Sequence, residues 1–251
     1  MRLRLIRHAT LVIEYGGHKL LIDPMLSDAG AMPSIENSPN PRNNPLVPLP
    51  MPVVEALNGI NTVLVTHTHR DHWDAAAATA VPKQLPLFCQ PEDHENFSKQ
   101  GFINTTTVND QLEWQGITIT RTGGQHGTGA IGRAMAPVSG FVLSNAAEPS
   151  LYIAGDTIWC EEVGAAIRSN EPEVIVVNTG GARFLEGDPI TMTADDVLQT
   201  ARLAGNGKII AVHMEAINHC LLTRADLAFQ VEAARLTERI VIPDDGEWLS
   251  F

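Results

Sequence analysis

The sequence predicts a single α/β domain, and three observations carry that reading. The last third alternates compact apolar runs with helical stretches: strand Val174 to Val177, helix Ala194 to Leu203, strand Lys208 to Val212, helix Arg224 to Thr237, strand Ile240 to Ile242. Strands alternating with helices are the signature of units that build a largely parallel sheet. The N-terminal part instead reads as a meander of short strands. Finally, the 251 residues are 44% apolar and 18% charged, which supplies a sizeable core and carries no signature of disorder.

Taken in order, the meander runs Leu3 to Arg7, Thr10 to Glu14, a turn at Tyr15-Gly16-Gly17-His18, then Lys19 to Ile22. Asp23-Pro24 closes it, since proline cannot donate to a central ladder, so Asp23 sits at a strand's end. From Ser27 to Pro52 the chain is rich in Pro, Asn and Met, with seven prolines from Pro33 onward. Neither a helical nor an alternating period survives there, and the segment is expected to be an insertion that walls or covers a pocket as a mobile lid. Val53 to Leu57 then reads as a short helix, Thr62 to Thr66 as a buried strand, and the alanine-rich Asp74 to Ala80 as a helix. Strands follow at Leu87 to Cys89, Ile117 to Thr122, Phe141 to Ser144 and Leu151 to Ala154, with Trp159 to Arg168 helical. Both late helices carry start signals, because Thr193 with Asp196 and Thr223 with Asp226 each set a hydroxyl three residues before a carboxylate.

A formal charge of −12 opposes a phosphate backbone, so nucleic acid is not the expected partner. Cys89, Cys160 and Cys220 are odd in number and unpatterned, which points away from a disulfide framework and toward a reducing cytoplasm. The start Met-Arg-Leu-Arg-Leu-Ile-Arg-His is too quickly charged for a signal peptide, and no stretch reaches the length of a membrane span. No membrane partner is expected, and a homo-oligomer is left open.

The chemistry concentrates in His67-Thr68-His69-Arg70-Asp71-His72, directly after the buried strand TVLVT. Three imidazoles and a carboxylate buried without partners would cost roughly 1–3 kcal/mol each. A metal removes that cost, and the nitrogen and oxygen donors suit a borderline cation such as zinc. In a tight loop His67 and His69 would share one ion while Asp71 and His72 turn toward a second. Further donors stand at strand ends: His126 in TGGQHGTG, Asp156 closing LYIAGD and His213 closing KIIAVH. Each has an ordinary alternative, His126 as a loop residue, Asp156 as a helix cap and His213 as a strand cap. Their shared position at strand tips favours convergence on one edge.

The ordered set formed by LIDP at Leu21 to Pro24, HTHRDH at His67 to His72, His126, GDT at Gly155 to Thr157 and His213 resembles the metallo-β-lactamase superfamily, nearest its lactonase-like and phosphodiesterase-like branch. The resemblance spans nearly the whole chain, and the opening RHATLVIE is similar to that branch's start, with Arg7 where glycine is common. It implies a four-layer αββα sandwich with two metals at one edge of the sheets. By the same resemblance, His67, His69 and His126 hold one metal, Asp71, His72 and His213 hold the other, and Asp156 bridges them. Asp23 then supports a ligand histidine from behind. A carboxylate at the bridging position separates the chain from members that use a cysteine ligand there. His8 and His219 remain further histidines whose part in the site the sequence leaves open.

The implied activity is hydrolysis by a metal-bound hydroxide of a small-molecule ester, lactone or phosphodiester, with two zinc ions expected and manganese or iron as substitutes. Asp71 and Asp156 are the expected catalytic carboxylates, Asp71 taking or orienting a proton of the attacking water. The rival readings are a di-iron redox protein on the same ligands, a nuclease and a binding module that has kept the fold. The segment Ser27 to Pro52, the loop Gln125 to Arg133 and the loop Asn178 to Thr191 are expected to wall the pocket, with Arg133 and Arg183 as candidate partners of an anionic group.

Overall fold

The computed structural model describes residues Met1–Phe251 throughout. Fourteen strands form two seven-stranded sheets built on the same plan. In the first, β1 (Arg2–Arg7), β2 (Thr10–Tyr15) and β3 (His18–Ile22) make an antiparallel meander, flanked by β14 (Trp248–Ser250) on β1. The sheet continues in parallel through β4 (Thr62–Val65), β5 (Leu87–Cys89) and β6 (Thr105–Thr107). In the second, β7 (Gln111–Trp114), β8 (Ile117–Thr122), β9 (Gly140–Asn145) and β10 (Glu148–Ile153) are antiparallel. That sheet then runs in parallel through β11 (Val174–Asn178), β12 (Lys208–Val212) and β13 (Ile240–Val241).

Strand parity sorts the apolar residues into three seams, which makes four layers. Leu3, Leu5, Leu11, Ile13, Leu20 and Ile22 of the first sheet meet Ile119, Phe141, Leu143, Ile153, Val176 and Val212 of the second between the sheets. The alternate residues of the second sheet, among them Tyr152, Ile175, Val177 and Ile209, face α5 (Glu161–Asn170), α6 (Ala194–Leu203) and α7 (Arg224–Ala233). Those of the first, including Ile6, Leu21, Val63 and Val65, face α1 (Val53–Ala56), α2 (Ala75–Ala80) and α3 (His94–Lys99). Because successive strand residues point to opposite faces, one sheet serves two seams, and the αββα sandwich expected from the sequence is the observed architecture. No helix is long and apolar enough to cross a membrane.

Both expected capping boxes form at Thr193 with Asp196 and at Thr223 with Asp226. Two helix boundaries differ from expectation. Cys160 is the N-cap of α5, which runs on to Asn170 before Glu171 turns left-handed at φ 44°. The last helix stops at Ala233 rather than Thr237, because Arg235 adopts φ 58° and turns the chain. Edge strands β6 and β7 and the seven-residue α4 (Gly129–Met135), which buries no side chain, escape a pattern reading since none carries a buried apolar stripe.

The segment from Ser27 to Pro52 is fastened rather than loose. Fully buried Asn218 accepts from Ile35 N and Asn44 Nδ2, both at 2.8 Å, and donates to Ser38 Oγ at 2.5 Å and Asn40 O at 2.7 Å. Buried Arg7 donates to the carbonyls of Met25, Ser27 and Val47 at 2.9–3.0 Å. The expected mobile lid is therefore a wall tied to two sites in the core.

Candidate metal centre

Strands β1, β3 and β4 run in one direction, as do β8, β10, β11 and β12, so the residues that follow them share an edge. His8, Asp23, His67 to His72, His126, Asp156, Asn178 and His213 all lie at or just beyond those ends. Three must turn sharply there: His8, Asp23 and His213 have φ of 62°, 42° and 70°. Left-handed backbone at non-glycine residues costs about 1–3 kcal/mol each and persists where surrounding structure enforces it. Gly155, at φ 69°, makes the corresponding turn before Asp156, and a Cβ there would stand 2.6 Å from Ser139 O.

All seven expected donors converge. His67, His69 and His126 place a nitrogen each within 4.8 Å of one another, and His8, Asp71, His72 and His213 do the same with one donor atom each. Asp156 touches both groups. Its Oδ2 lies 3.4 Å from His126 Nε2, 3.3 Å from His72 Nε2 and 4.0 Å from His67 Nε2, and its Oδ1 lies 3.2 Å from His213 Nε2. Within the first group, His67 Nε2 and His69 Nδ1 are 3.0 Å apart. In the second, His72 Nε2 and His213 Nε2 are 3.3 Å apart, and Asp71 Oδ2 is 3.6 Å from His213 Nε2 and 3.9 Å from His72 Nε2. Ligand atoms set tetrahedrally around zinc at 2.0–2.1 Å lie roughly 3.3 Å from one another, so both groups have the size of a cation's coordination sphere.

For three of the imidazoles the far side explains the inward face. His72 Nδ1 donates to Asp23 Oδ2 at 2.8 Å, and His126 Nδ1 donates to Ile190 O at 2.7 Å. Thr66 Oγ1 gives its proton to Asp23 Oδ2 at 2.7 Å, which leaves it to accept from His67 Nδ1 at 3.1 Å. With Nδ1 carrying the proton, the neutral ring turns a bare Nε2 inward, the tautomer a metal needs. His213 Nδ1 faces Cys220 Sγ at 3.7 Å, and Asn178 Nδ2 donates to Asp156 Oδ1 at 2.7 Å.

Charge points the same way. Asp23, Asp71 and Asp156 are buried, and no Lys or Arg enters their ion pairs. Burial disfavours the charged form of every group here, yet His72, His213 and His8 hold the Asp71 carboxyl well below the usual range. His213, His72 and His126 do the same for Asp156 against the same burial. Conversely, Asp156, Asp23 and Asp71 outweigh burial to push His72 up to about 10, and Asp156 and Cys220 push His213 well above its ordinary value. Burial wins for His67, aided by His72 and His69, for His126, pushed down to about 4, and for His8, pushed down to about 3. The edge is thus a carboxylate-rich well that borrows protons on two histidines, and it fits divalent cations.

Thr66, Asn178, Cys220 and the Ile190 carbonyl are the partners that sequence reasoning missed. Asn178 ends a fully buried strand and could have been found by the strand-tip argument, whereas a backbone carbonyl leaves no signal. His219 is buried, with Nδ1 unpartnered and its ring 6.1 Å from Phe184. Arg133 and Arg183 are both exposed and make no hydrogen bond to any of the seven donors.

Residues 18–214 match the family described as Beta-lactamase superfamily domain. The chain is 36% identical to the UPF0173 protein YddR of Bacillus subtilis over 254 residues, covering 100% of both. It superposes on the crystal structure of isothiocyanate hydrolase from Delia radicum gut bacteria with a TM-score of 0.95 and 40% identity, covering 100% of this chain and 99% of that one. The crystal structure of a possible metal-dependent hydrolase from Veillonella parvula gives a TM-score of 0.97 and 34% identity with the same coverage.

Proposed function

This chain belongs to the Beta-lactamase superfamily domain family and is a metal-dependent hydrolase of the metallo-β-lactamase fold, and on that premise we propose that it binds two zinc ions and hydrolyses small organic isothiocyanates. The observation that carries the reading is the donor cluster: seven inward-facing groups, six of them nearly sealed from solvent, with no Lys or Arg among their partners.

That environment favours a neutral, slender electrophile. No Lys or Arg pairs with any of the seven donors to hold the charge of an anionic phosphodiester, the nearest basic side chain on a shared cavity being Arg133 beside His126, and His69 is the one donor of partial exposure. A neutral N=C=S group needs no such charge partner. The kinship with an isothiocyanate hydrolase over the full length of both chains supports the same substrate class. Asn37, Ile131, Phe184, Leu185 and Glu186 line a cavity of about 420 Å³ where the Pro-rich wall, α4 and the loop after Asn178 meet. Its apolar side chains suit the organic tail.

Divalent cations held there would supply Lewis-acid polarisation of the substrate and a lowered pKa for the attacking water. The chain's own part is to hold and orient. His67, His69 and His126 would hold one ion, Asp71, His72 and His213 the other, with Asp156 between them. Asp71, ionised and a poor proton acceptor, would orient the water by accepting a hydrogen bond. The water oxygen bonds to the central carbon as the C=N π pair moves to nitrogen and takes up a proton, giving a thiocarbamic acid. That acid parts into amine and carbonyl sulfide, so water and isothiocyanate balance the two products. The three unpaired cysteines are in keeping with action in a reducing cytoplasm.

The test is a panel of benzyl isothiocyanate, a γ-lactone and a bis-aryl phosphodiester with zinc-reconstituted protein. Equimolar amine and carbonyl sulfide from the first, abolished by chelation, supports the reading. Turnover of the lactone or the phosphodiester alone overturns it.

A further inference from the structure

We infer that His8 is a positioning residue that fixes Asp71 and His213 together and so builds the second half of the metal centre. His8 is completely buried at the turn that ends β1. Its Nε2 lies 3.2 Å from Asp71 Oδ2, its ring centroid lies 3.5 Å from that of His213 at 35°, and its carbonyl accepts from His213 N at 3.0 Å. One residue therefore engages two donors of the same group by three separate contacts, two of its side chain and one of its backbone.

The direction of the hydrogen bond follows from its partner. An ionised carboxylate only accepts, so the proton is on His8 Nε2. Its Nδ1 is buried without a partner and is left bare, which makes His8 a neutral donor. That bond uses one lone pair of Asp71 Oδ2 and leaves the other directed toward His72 and His213. Facing rings and the backbone bond hold the His213 imidazole against rotation about its own stem. The left-handed φ of 62° at His8 is what brings its ring over His213 at the end of β1. No comparable residue backs the first group, where Thr66 and Ile190 O do the orienting, so loss of His8 should fall on one half-site.

Outer partners of metal ligands typically alter affinity by 10- to 100-fold. The test is zinc titration against a chromophoric chelator for the parent, His8→Phe and His8→Gln. His8→Phe keeps the ring face and removes the donor. It should leave one zinc equivalent near its parental affinity and weaken the other by roughly 10- to 100-fold, with His8→Gln, which restores an N–H, recovering part of the loss. Both zinc ions bound as in the parent by His8→Phe overturns the inference, and so does equal weakening of both. A measurement on the unmutated protein guards against a variant that does not fold. In the cadmium-113 form, His8 should show an Nε2–H proton and no coupling to cadmium, whereas His72 and His213 should show coupling. Coupling at His8 would make it a ligand and overturn the positioning role.

Discussion

Asp23 Oδ2 accepts from His72 Nδ1 at 2.8 Å and from Thr66 Oγ1 at 2.7 Å, and Thr66 in turn receives the proton of His67 Nδ1. One carboxylate behind the centre thereby sets the tautomer of a histidine in each half, while its Oδ1 also accepts from Thr66 N. Asp23→Ala should weaken both zinc ions by roughly 10- to 100-fold and, by orphaning a buried backbone N–H, destabilise the protein by about 1–3 kcal/mol. Thr66→Val should weaken chiefly the ion held by His67. Chelator competition and urea unfolding measure these, and parental affinity for both ions in Asp23→Ala would sink the linkage.

Asp156 contacts both donor groups and His213 only one. Asp156→Ala should lose zinc from both halves and hydrolysis with it. His213→Ala should retain about one equivalent, held by His67, His69 and His126. Metal analysis after gel filtration decides between them, and equal retention in the two variants would count against a shared carboxylate.

Binding zinc must displace protons from the charged well. With His72 pushed up to about 10, its ring is charged in the metal-free protein at pH 8, and His213 is shifted in the same direction. Calorimetry in buffers of different ionisation enthalpy should therefore show net proton release, and zinc affinity should climb with pH until His72 titrates. Stability of the metal-free form has the opposite sign. A raised folded pKa contributes stability that is complete below 6.5 and is lost as pH rises through about 10, so its Tm should fall across that window and the zinc form's should not. A release of no protons at pH 8 would show that the His72 ring is neutral.

The centre was legible where the chain crowds ligand types or ends a strand on one. Four donor residues in six positions announce His67 to His72, and the αββα layers follow from the alternation that sends Ile175 and Val177 to one face and Val174 and Val176 to the other. What stayed hidden depends on backbone direction and on contacts far apart in sequence. Nothing in RHAT says that φ at His8 is left-handed, and Ile190 serves His126 through a carbonyl that any residue carries. The wall was misjudged for the same reason. Its prolines announce irregular backbone, but its fastening comes from Asn218, more than 170 residues away from Asn44 in the chain.

That fastening gives the last prediction. Asn218 uses its amide oxygen for Ile35 N and Asn44 Nδ2, its amide nitrogen for Ser38 Oγ and Asn40 O, and its backbone N–H for Asn44 Oδ1. It is fully buried, so no water can replace these bonds at once when the side chain is removed. Asn218→Ala should destabilise the protein by about 2–4 kcal/mol, because several buried donors and acceptors are left unmatched together. The seven zinc donors do not bond to Asn218, so zinc stoichiometry should remain at the parental value. The loosened wall carries Asn37, which lines the cavity proposed to seat the organic tail, so KM for an isothiocyanate with a long apolar tail should rise while kcat changes little. For a short-tailed isothiocyanate that does not reach the wall, both constants should stay near the parent's. Equal rises in KM for the two substrates would mean that the wall shapes the whole entrance rather than the tail's seat.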